Sequence, residues 1–347
     1  MIFIYGTGTV GQEIWKLLKV KGYSIKGFID HSLTQRPLPE AFIFQPDDER
    51  IPIKDRRNSD VIMAIHNRAA QIPPIIENLH RLGYGQIITL IDLYDNFANE
   101  LGQRYWLTSR NFYSNYEKEI LLTQNLFEDK ASRELFRSLI SFRKTGDYSI
   151  LSAPDMEHQY FPSDIPFSKK PIRFVDCGAF DGDTLRNFVE SKIPIEALAA
   201  FEPDQINFQK LSKYIRESQI PNAFLWPCGV YSSSTQIRFD SGQGEASVIS
   251  EKGAFTIQCI SLDDAIPNFN PTLIKMDIEG AEIEALRGAQ HIIQKYRPEL
   301  AISVYHLPSH IWEIPLFVKA MMPDTYHYYL RAHGFNDFDI VLYTIPI

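Results

Sequence analysis

An apolar strand followed by a glycine-rich turn and a helix occurs twice in this chain, and this pattern limits the possible folds more than any other feature. The first copy is IFIYGTGTVGQEIWKLL at residues 2–18, and the second is RFVDCGAFDGDTLRNF at residues 173–188. After each copy, strand-like runs continue to alternate with helical spacing. Such alternation predicts a parallel sheet covered by helices on both faces. We therefore predict an α/β protein with two Rossmann-like three-layer domains.

The length of 347 residues also favours two domains, because a single hydrophobic core normally stops growing below this size. We expect residues 1–100 to form the first domain, with strands at 60–65 and 86–91, and residues 171–347 to form the second. The intervening residues 101–170 predict a helical bridge and a proline-rich stretch, which is either a linker or a lid over a site.

Two departures from simple alternation are expected in the second domain. Residues 235–264 have strand-like ends with glycines between them, which predicts a β-hairpin excursion. The final stretch, TYHYYLRAHGFNDFDIVLYTI, offers two strands joined by a short turn. It predicts an antiparallel hairpin, with a reversed last strand, at one edge of the sheet.

Charge and cysteine content exclude several classes of partner. A net charge of -8 without a long basic block disfavours nucleic acid and anionic membranes. No apolar run approaches the roughly 20 residues that span a bilayer, and the start of the sequence has no secretory pattern. Cys177, Cys228 and Cys259 lack C-x-x-C spacing, which favours a reducing compartment. We expect a soluble cytoplasmic protein that acts on a small molecule, and leave oligomer formation open.

The first glycine turn, Gly6 to Gly11 with Gly8 between them, contains no acid and opens a helix. Backbone amides at a helix N-terminus suit a phosphate, and Asp30 at the end of the next strand could take ribose hydroxyls. Arg68 follows another strand and would lie at the same edge of the sheet. We predict a nucleotide site here. The alternative is a tight strand-to-helix turn that binds nothing.

The second glycine turn carries acids that would repel a pyrophosphate, so it suits a cation. S-adenosyl-L-methionine combines a sulfonium and an ammonium with a ribose. Asp176 and Asp181 could hold its charged end, while Gly178 and Gly182 let the backbone approach. Glu202 lies 20 residues beyond Gly182, the expected offset for an acid that receives ribose hydroxyls. The predicted donor-binding residues are Asp176, Gly178, Ala179, Asp181, Gly182, Thr184, Glu202, Asp204 and Asp277.

Charged residues in the stretch TLIKMDIEGAEIEAL indicate a second part of this site. Period-two alternation places Lys275, Asp277 and Glu279 on one face of a strand, and we expect Lys275 and Asp277 to pair at its carboxyl end. His306 ends the following strand and is a candidate base. The predicted catalytic residues are Lys275, Asp277 and His306. Two alternatives stay open: a structural ion pair beside acids that start a helix, and a divalent metal on Asp277, Glu279 and His306. We expect no metal.

The second half of the sequence resembles the FkbM family of S-adenosylmethionine-dependent methyltransferases. The matching pieces, within residues 150–347, are FVDCGAFDGDT, FEPD, KMDIEGAEIEALRGA, LAISVYH and VLYT. The resemblance implies a seven-stranded methyltransferase sheet with a reversed last strand, and O-methylation of a sugar or polyketide hydroxyl. Residues 1–95, with GTGTVG, FID and HNR, resemble the nucleotide-sugar-binding domains of some sugar-modifying transferases.

We therefore predict a methyltransferase that acts on a hydroxyl of a sugar, nucleotide-linked sugar or similar small molecule, with His306 or Asp277 as the base. One alternative is an NAD(P)-dependent oxidoreductase that uses the N-terminal turn, which would leave the acid-lined turn unexplained. The other is a non-catalytic nucleotide-sugar-binding scaffold. Neither alternative accounts for Asp176, Glu202 and Asp277 together.

Overall fold

The protein divides into two compact units, each built from separate stretches of sequence. A computed structural model describes residues 1–31, 38, 41–167, 171–218, 220–241, 247–249 and 255–347. The first unit comprises Met1–Glu117, Phe136–Ala153 and Gly334–Phe338. The second comprises Lys118–Leu135, Pro154–His333 and Asp339–Ile347. The predicted bridge, residues 101–170, is therefore shared between the two units.

The elements before residue 154 alternate as the sequence predicts. In chain order they are β1 (Ile2–Tyr5), α1 (Thr9–Val20), β2 (Ile25–Ile29), β3 (Ile43–Phe44), α2 (Ile53–Arg57), β4 (Asp60–Met63), α3 (Ile72–Arg81), β5 (Gln86–Ile88), α4 (Leu90–Leu101), α5 (Arg110–Ser114), α6 (Glu117–Gln124) and α7 (Lys130–Thr145). The five strands form a parallel sheet in the order β3-β2-β1-β4-β5. The order reverses at β1, which runs into the first glycine turn.

The strand predicted at 86–91 is shorter in the structure, because a helix begins inside that range. The Asp92 amide donates to the Thr89 hydroxyl oxygen, and the Thr89 amide donates to the Asp92 carboxylate at 2.7 Å. This reciprocal pair satisfies backbone donors at the start of α4. The strand therefore ends at Ile88.

The segment Gly334–Phe338 is held in the first unit by a buried ion pair. Arg143 donates to both carboxylate oxygens of Asp337, over 2.6 and 3.1 Å, and both side chains are fully buried. The Asn336 amide group donates to the carbonyl oxygens of Asn67 and Ala70 at 3.0 and 2.7 Å. A stretch distant in sequence is thus part of the packing of this unit.

The elements after residue 170 form a larger sheet and a smaller one. In chain order they are β6 (Ile172–Cys177), α8 (Asp183–Glu190), β7 (Ile195–Phe201), α9 (Gln205–Ser218), β8 (Ala223–Trp226), β9 (Gly229–Val230), β10 (Thr235–Ser241), β11 (Ser247–Ile249), β12 (Phe255–Ile260), α10 (Leu262–Ala265), β13 (Leu273–Met276), α11 (Glu282–Arg287), α12 (Gln290–Tyr296), β14 (Glu299–Ser303), α13 (His310–Met321), β15 (Tyr326–Ala332) and β16 (Ile340–Pro346). The larger sheet has seven strands in the order β15-β16-β14-β13-β6-β7-β8.

Only one strand of the seven-stranded sheet reverses direction. Strand β16 is antiparallel to both of its neighbours, β14 and β15, whereas the pairs among β14, β13, β6, β7 and β8 are parallel. The predicted α/β class and reversed last strand are therefore confirmed. The order of the strands reverses between β6 and β13, so the carboxyl ends of these strands flank a switch point where ligands bind in such sheets.

The predicted excursion at 235–264 is a small antiparallel arrangement. Strand β10 pairs with both β11 and β12 in a sheet of order β11-β10-β12-β9. Residues 242–246 and 250–254 of the predicted excursion lie outside the described residues.

Candidate functional site

The turn after β6 has a backbone that suits glycine at two positions. Gly178 and Gly182 have φ values of +76° and +90°, which side chains rarely adopt. A Cβ at Gly178 would lie 2.0 Å from the carbonyl oxygen of Asp277, so this glycine lets the turns after β6 and β13 meet. The carboxyl ends of two adjacent strands are thereby brought into direct contact.

The amides of the same turn donate to groups within the protein. Those of Gly178 and Ala179 both donate to the Phe201 carbonyl oxygen at 3.0 Å, and that of Phe180 donates to a carboxylate oxygen of Glu202 at 2.8 Å. A phosphate cradle needs amides that point at the ligand. The backbone of this turn is therefore arranged differently from a phosphate-binding loop.

Glu202 joins the turns that follow β6 and β7. Its side chain is buried, and its second carboxylate oxygen accepts from the Asp204 amide at 2.8 Å. Burial raises the pKa of Glu202 above its ordinary value. The Asp204 side chain itself is exposed and accepts from the Asn207 amide at the start of α9. The predicted ribose-binding acid therefore lies at the expected carboxyl end of β7.

The other predicted residues of the turn lie at the start of α8. Asp181 forms an ion pair with Arg186, one turn further along the chain. The Asp183 carboxylate accepts from the Thr184 amide at 2.8 Å, and Thr184 is buried. Asp181 is thus near the turn but already has a cation partner, and its contact with a ligand stays a prediction.

Lys275 pairs with Asp176, which corrects the predicted pair with Asp277. The Lys275 ammonium lies 3.0 Å from Asp176 Oδ1 and donates to the Gly178 carbonyl oxygen at 2.6 Å. The correction has a simple cause, since Lys275 and Asp176 are in register on the neighbouring strands β13 and β6. Both side chains are buried, at 2% and 0% exposure. Asp176 therefore lies beneath the turn, and its predicted direct contact with a ligand would require this pair to change.

Asp277 and His306 lie together at the carboxyl ends of β13 and β14, as predicted. Asp277 Oδ1 is 3.3 Å from His306 Nε2, and the Glu279 carboxylate is 3.8 Å from the same nitrogen. His306 Nδ1 contacts the buried Glu282 carboxylate at 2.7 Å, and His310 lies 3.2 Å from its other oxygen. One imidazole ring is therefore surrounded by three carboxylates.

This arrangement determines which groups are charged at neutral pH. Burial alone would lower the pKa of His306, but the carboxylates of Glu282, Glu279 and Asp277 raise it to about 10. Burial opposes ionisation of Asp277, yet the His306 and Lys275 cations hold its pKa below the ordinary value. These pKa shifts favour a protonated His306 beside an ionised Asp277 at neutral pH.

Sequence reasoning missed two residues that organise this site. Glu282 was open to interpretation as an ordinary helix start, but it is fully buried, binds His306 and accepts from the Ile278 amide at 3.0 Å. Tyr160 belonged to the stretch interpreted as linker or lid, and its hydroxyl donates to Asp277 Oδ2 at 2.7 Å. The sequence feature that could have identified Glu282 is its position two residues after a glycine and close to the end of a strand.

In the N-terminal glycine turn, the Asp30 carboxylate contacts the turn itself. Both the amide and the hydroxyl of Thr7 donate to Asp30 Oδ2, at 3.0 and 2.7 Å. The acid expected to take ribose hydroxyls thus holds the turn between Gly6 and Gly8. A Cβ at Gly11 would lie 2.1 Å from the Gly6 carbonyl oxygen, so this glycine serves close packing of α1 on the turn.

Arg68 lies in the loop after β4, next to β1 in the sheet. Its carbonyl oxygen accepts from the Phe335 amide at 2.8 Å, within the first unit. The nucleotide or nucleotide-sugar site at Gly6, Gly8, Gly11, Asp30 and Arg68 stays a prediction.

The residues that the structure describes contain neither a bilayer-spanning helix nor a cluster of metal ligands. Among those residues, no helix combines the length and apolar character needed to cross a bilayer. Within the same ranges, no group of three or more His, Cys, Asp or Glu side chains is arranged to hold a metal ion. The cellular location and the oligomeric state stay predictions.

Comparison with protein families supports the predicted resemblance for the second unit. Residues 176–336 match the family model described as Methyltransferase FkbM domain. Among curated proteins, the hexuronic acid methyltransferase AglP of Haloferax volcanii is 30% identical over 102 residues. That alignment covers 27% of this chain and 42% of the relative. The resemblance to the FkbM family is thus confirmed over a shorter range than the one predicted.

A solved structure shares the fold. The crystal structure of Methyltransferase FkbM from Methylobacillus flagellatus KT superposes with a TM-score of 0.79, at 22% sequence identity. The match covers 99% of this chain and 89% of the other. It confirms a methyltransferase fold for the chain, while the resemblance of residues 1–95 to nucleotide-sugar-binding domains stays a prediction.

Proposed function

We propose that this protein is an S-adenosylmethionine-dependent O-methyltransferase whose acceptor is a hydroxyl of a sugar, either free or linked to a nucleotide or another small group. The family match and the shared fold support methyl transfer. A sugar acceptor is supported by the Haloferax relative, which is a hexuronic acid methyltransferase. The observation that carries the proposal is the buried carboxylate of Glu202, which accepts hydrogen bonds from the backbone turns after β6 and β7.

The residues around Glu202 fit the adenosyl donor better than a dinucleotide. Each oxygen of Glu202 accepts one amide and keeps a lone pair for a ribose hydroxyl. The nearby exposed acid Asp204 favours a positively charged ligand, and the amides of Gly178 and Ala179 already donate to the Phe201 carbonyl oxygen. When bound, S-adenosyl-L-methionine would supply an electrophilic methyl group on a positively charged sulfur. Glu202 would hold its ribose.

The pair of Asp277 and His306 is suited to the acceptor hydroxyl. Methyl transfer would join the methyl carbon to the acceptor oxygen, break the bond between that carbon and the donor sulfur, and release the proton of the acceptor hydroxyl. The proton acceptor must be unprotonated, so Asp277 is favoured over His306, whose pKa is about 10. A weak base suffices, because the oxygen becomes strongly acidic as its bond to the methyl carbon forms. We assign His306 to holding the Asp277 carboxylate ionised and in place.

Donor binding tests the proposal most directly. Calorimetry should show S-adenosyl-L-methionine and S-adenosylhomocysteine binding to the wild-type chain, and Glu202→Gln should weaken binding about 10- to 100-fold, as expected when a charged acceptor of hydroxyl groups is lost. Glu196→Gln is the matched control. Glu196 lies near the start of the same strand, is 49% exposed and pairs with Arg173 at 2.8 Å. Equal affinity of the Glu202→Gln and wild-type chains would contradict the assignment.

The acceptor requires a separate experiment. Transfer of labelled methyl groups from the donor should be measured to a panel of hexoses, hexuronic acids and their nucleotide-linked forms. We expect one sugar class to accept the label, and Asp277→Asn to slow its turnover about 100-fold or more while donor affinity stays near normal. Donor binding without transfer to any sugar would overturn the sugar part of the proposal.

A further inference from the structure

Tyr160 has a backbone conformation that is unusual for an aromatic residue. Its φ is +69°, in the left-handed region, and its side chain is only 5% exposed. This region is uncommon for residues other than glycine and is disfavoured for bulky ones. Such a conformation persists only where the surrounding structure holds it, and it occurs often at functional sites. The contacts of Tyr160 therefore indicate what the conformation achieves.

The backbone of Tyr160 is fixed by a short chain of hydrogen bonds. His333 Nδ1 is 2.6 Å from the Asp155 carbonyl oxygen, which can only accept, so this nitrogen donates. In the neutral ring, His333 Nε2 then accepts from the Tyr343 hydroxyl at 2.8 Å. The Tyr343 oxygen in turn accepts from the Tyr160 amide at 2.9 Å. The side chains of Tyr343, on β16, and of His333, in the turn before it, therefore hold the backbone of Tyr160 in position.

The side chain of Tyr160 contacts both Asp277 and Lys275. Its hydroxyl donates to Asp277 Oδ2 at 2.7 Å, and its ring lies 5.2 Å from the Lys275 ammonium. The other Asp277 oxygen, Oδ1, faces His306 Nε2 at 3.3 Å. With a hydrogen bond on Oδ2 and the His306 ring at ion-pair distance from Oδ1, the carboxylate cannot rotate without losing a contact. The Asp277 side chain keeps 26% exposure, although its Oδ1 atom is buried.

We propose that Tyr160 is a positioning residue for the transfer reaction, because its hydroxyl fixes the orientation of the Asp277 carboxylate that takes the acceptor's proton. This inference rests on the proposed function. It makes the stretch around Tyr160 part of the site, whereas the sequence left open whether this stretch is a linker or a lid. Tyr160 itself acts through Asp277.

The ionisation of Asp277 is a property that would not change if Tyr160 had a purely structural role. A hydrogen bond donated to the charged form favours that form, so loss of the Tyr160 hydroxyl should raise the pKa of Asp277. Several other groups that face Asp277 are not altered when the Tyr160 hydroxyl is removed. They are Lys275 and Asp176 on β13 and β6, Ser303 and Tyr305 on and after β14, His306, and Glu279 in the turn after β13.

The test compares Tyr160→Phe with Tyr326→Phe. The Tyr326 hydroxyl donates to the Pro298 carbonyl oxygen at 2.8 Å and is also buried, so the control loses a buried hydroxyl away from Asp277. Carbon-13 NMR of aspartate-labelled protein follows the ionisation of Asp277, with Asp277→Asn assigning the signal. We expect Tyr160→Phe to shift this titration to higher pH, and Tyr326→Phe to leave it unchanged.

Kinetics with the accepting sugar provides a second readout. For Tyr160→Phe we expect kcat to fall about tenfold and the acidic limb of its pH profile to move upward, while KM for the donor and S-adenosylhomocysteine affinity change less than about twofold. If Tyr160→Phe does not fold, Tyr343→Phe loosens the Tyr160 amide and should produce a smaller shift in the same direction. An unmoved Asp277 titration in the folded variants would overturn the inference. Absence of donor binding by the wild-type chain would instead overturn the proposed function.

Discussion

Replacing Lys275 with methionine would leave a buried carboxylate without its cation. In the structure the two charged groups are 3.0 Å apart, and Lys275 and Asp176 are 2% and 0% exposed. Methionine keeps much of the lysine side chain's length and removes the charge. Breaking one side of a buried ion pair typically costs about 3–5 kcal/mol of unfolding free energy. We expect a loss in this range at neutral pH.

The pH dependence of this loss follows from the pKa of Asp176. Burial raises it from 3.8 to about 6 even with Lys275 present, so the wild-type chain loses stability as pH rises through about 4–7, and this contribution is flat above about pH 7. Lys275 stays charged throughout, because Asp176 and Asp277 raise its pKa. Without Lys275 the Asp176 pKa rises further. The variant then continues to lose about 1.4 kcal/mol per pH unit above pH 6.

The gap between wild-type and Lys275→Met chains should therefore widen by up to about 2.3 kcal/mol from pH 6 to pH 8. Urea unfolding at three pH values measures it, with hydrogen exchange of β6 and β13 peptides as the local readout. The double variant Asp176→Asn/Lys275→Met removes the titrating group and should show no widening. Asp277 also loses the Lys275 cation in both variants, so the comparison of the single with the double variant isolates the titration of Asp176. A gap that stays constant across this range would refute the reasoning.

Two stability predictions follow from other parts of the structure. Gly178→Ala should destabilise the chain by about 3 kcal/mol or more, because its Cβ would lie 2.0 Å from a backbone oxygen of the turn after β13. Gly22→Ala has a similar φ, with nothing within 4 Å of the added Cβ, and should cost only about 1 kcal/mol in the same urea titration. Arg143→Met should cost about 3–5 kcal/mol by leaving Asp337 buried alone, whereas Lys130→Met breaks an exposed pair on the same helix and should change stability by less than about 0.5 kcal/mol. A similar cost for both helix variants would contradict this reasoning.

The layered fold could be predicted because its signals are local. Strand, glycine turn and helix follow one another within about 20 residues, so hydrophobic period and turn chemistry are enough to identify β1, α1, β6 and α8. The reversed β16 followed from the short connection of the final hairpin, since only antiparallel strands can be joined so closely. The position of Glu202 followed from its offset from the glycine turn.

The side-chain partners of the site depend on strand register and on distant segments, which one sequence does not reveal. Alternation puts Lys275 and Asp277 on one face about 6.6 Å apart along the strand, but a residue in register on the next strand is nearer, and that residue is Asp176. Tyr160 reaches Asp277 across 117 positions of the chain. Its left-handed backbone has no sequence signature in an aromatic residue.

The buried pair of Arg143 and Asp337 also sets an order of events during synthesis. The two residues are 194 positions apart, which at about 5–20 residues per second is about 10–40 s of translation. Until Asp337 leaves the ribosome, the Arg143 guanidinium cannot form its ion pair with Asp337, and the core of the first unit stays incomplete. This unit therefore matures late although most of it is made first, and a fragment that stops after residue 153 would lack part of its own core.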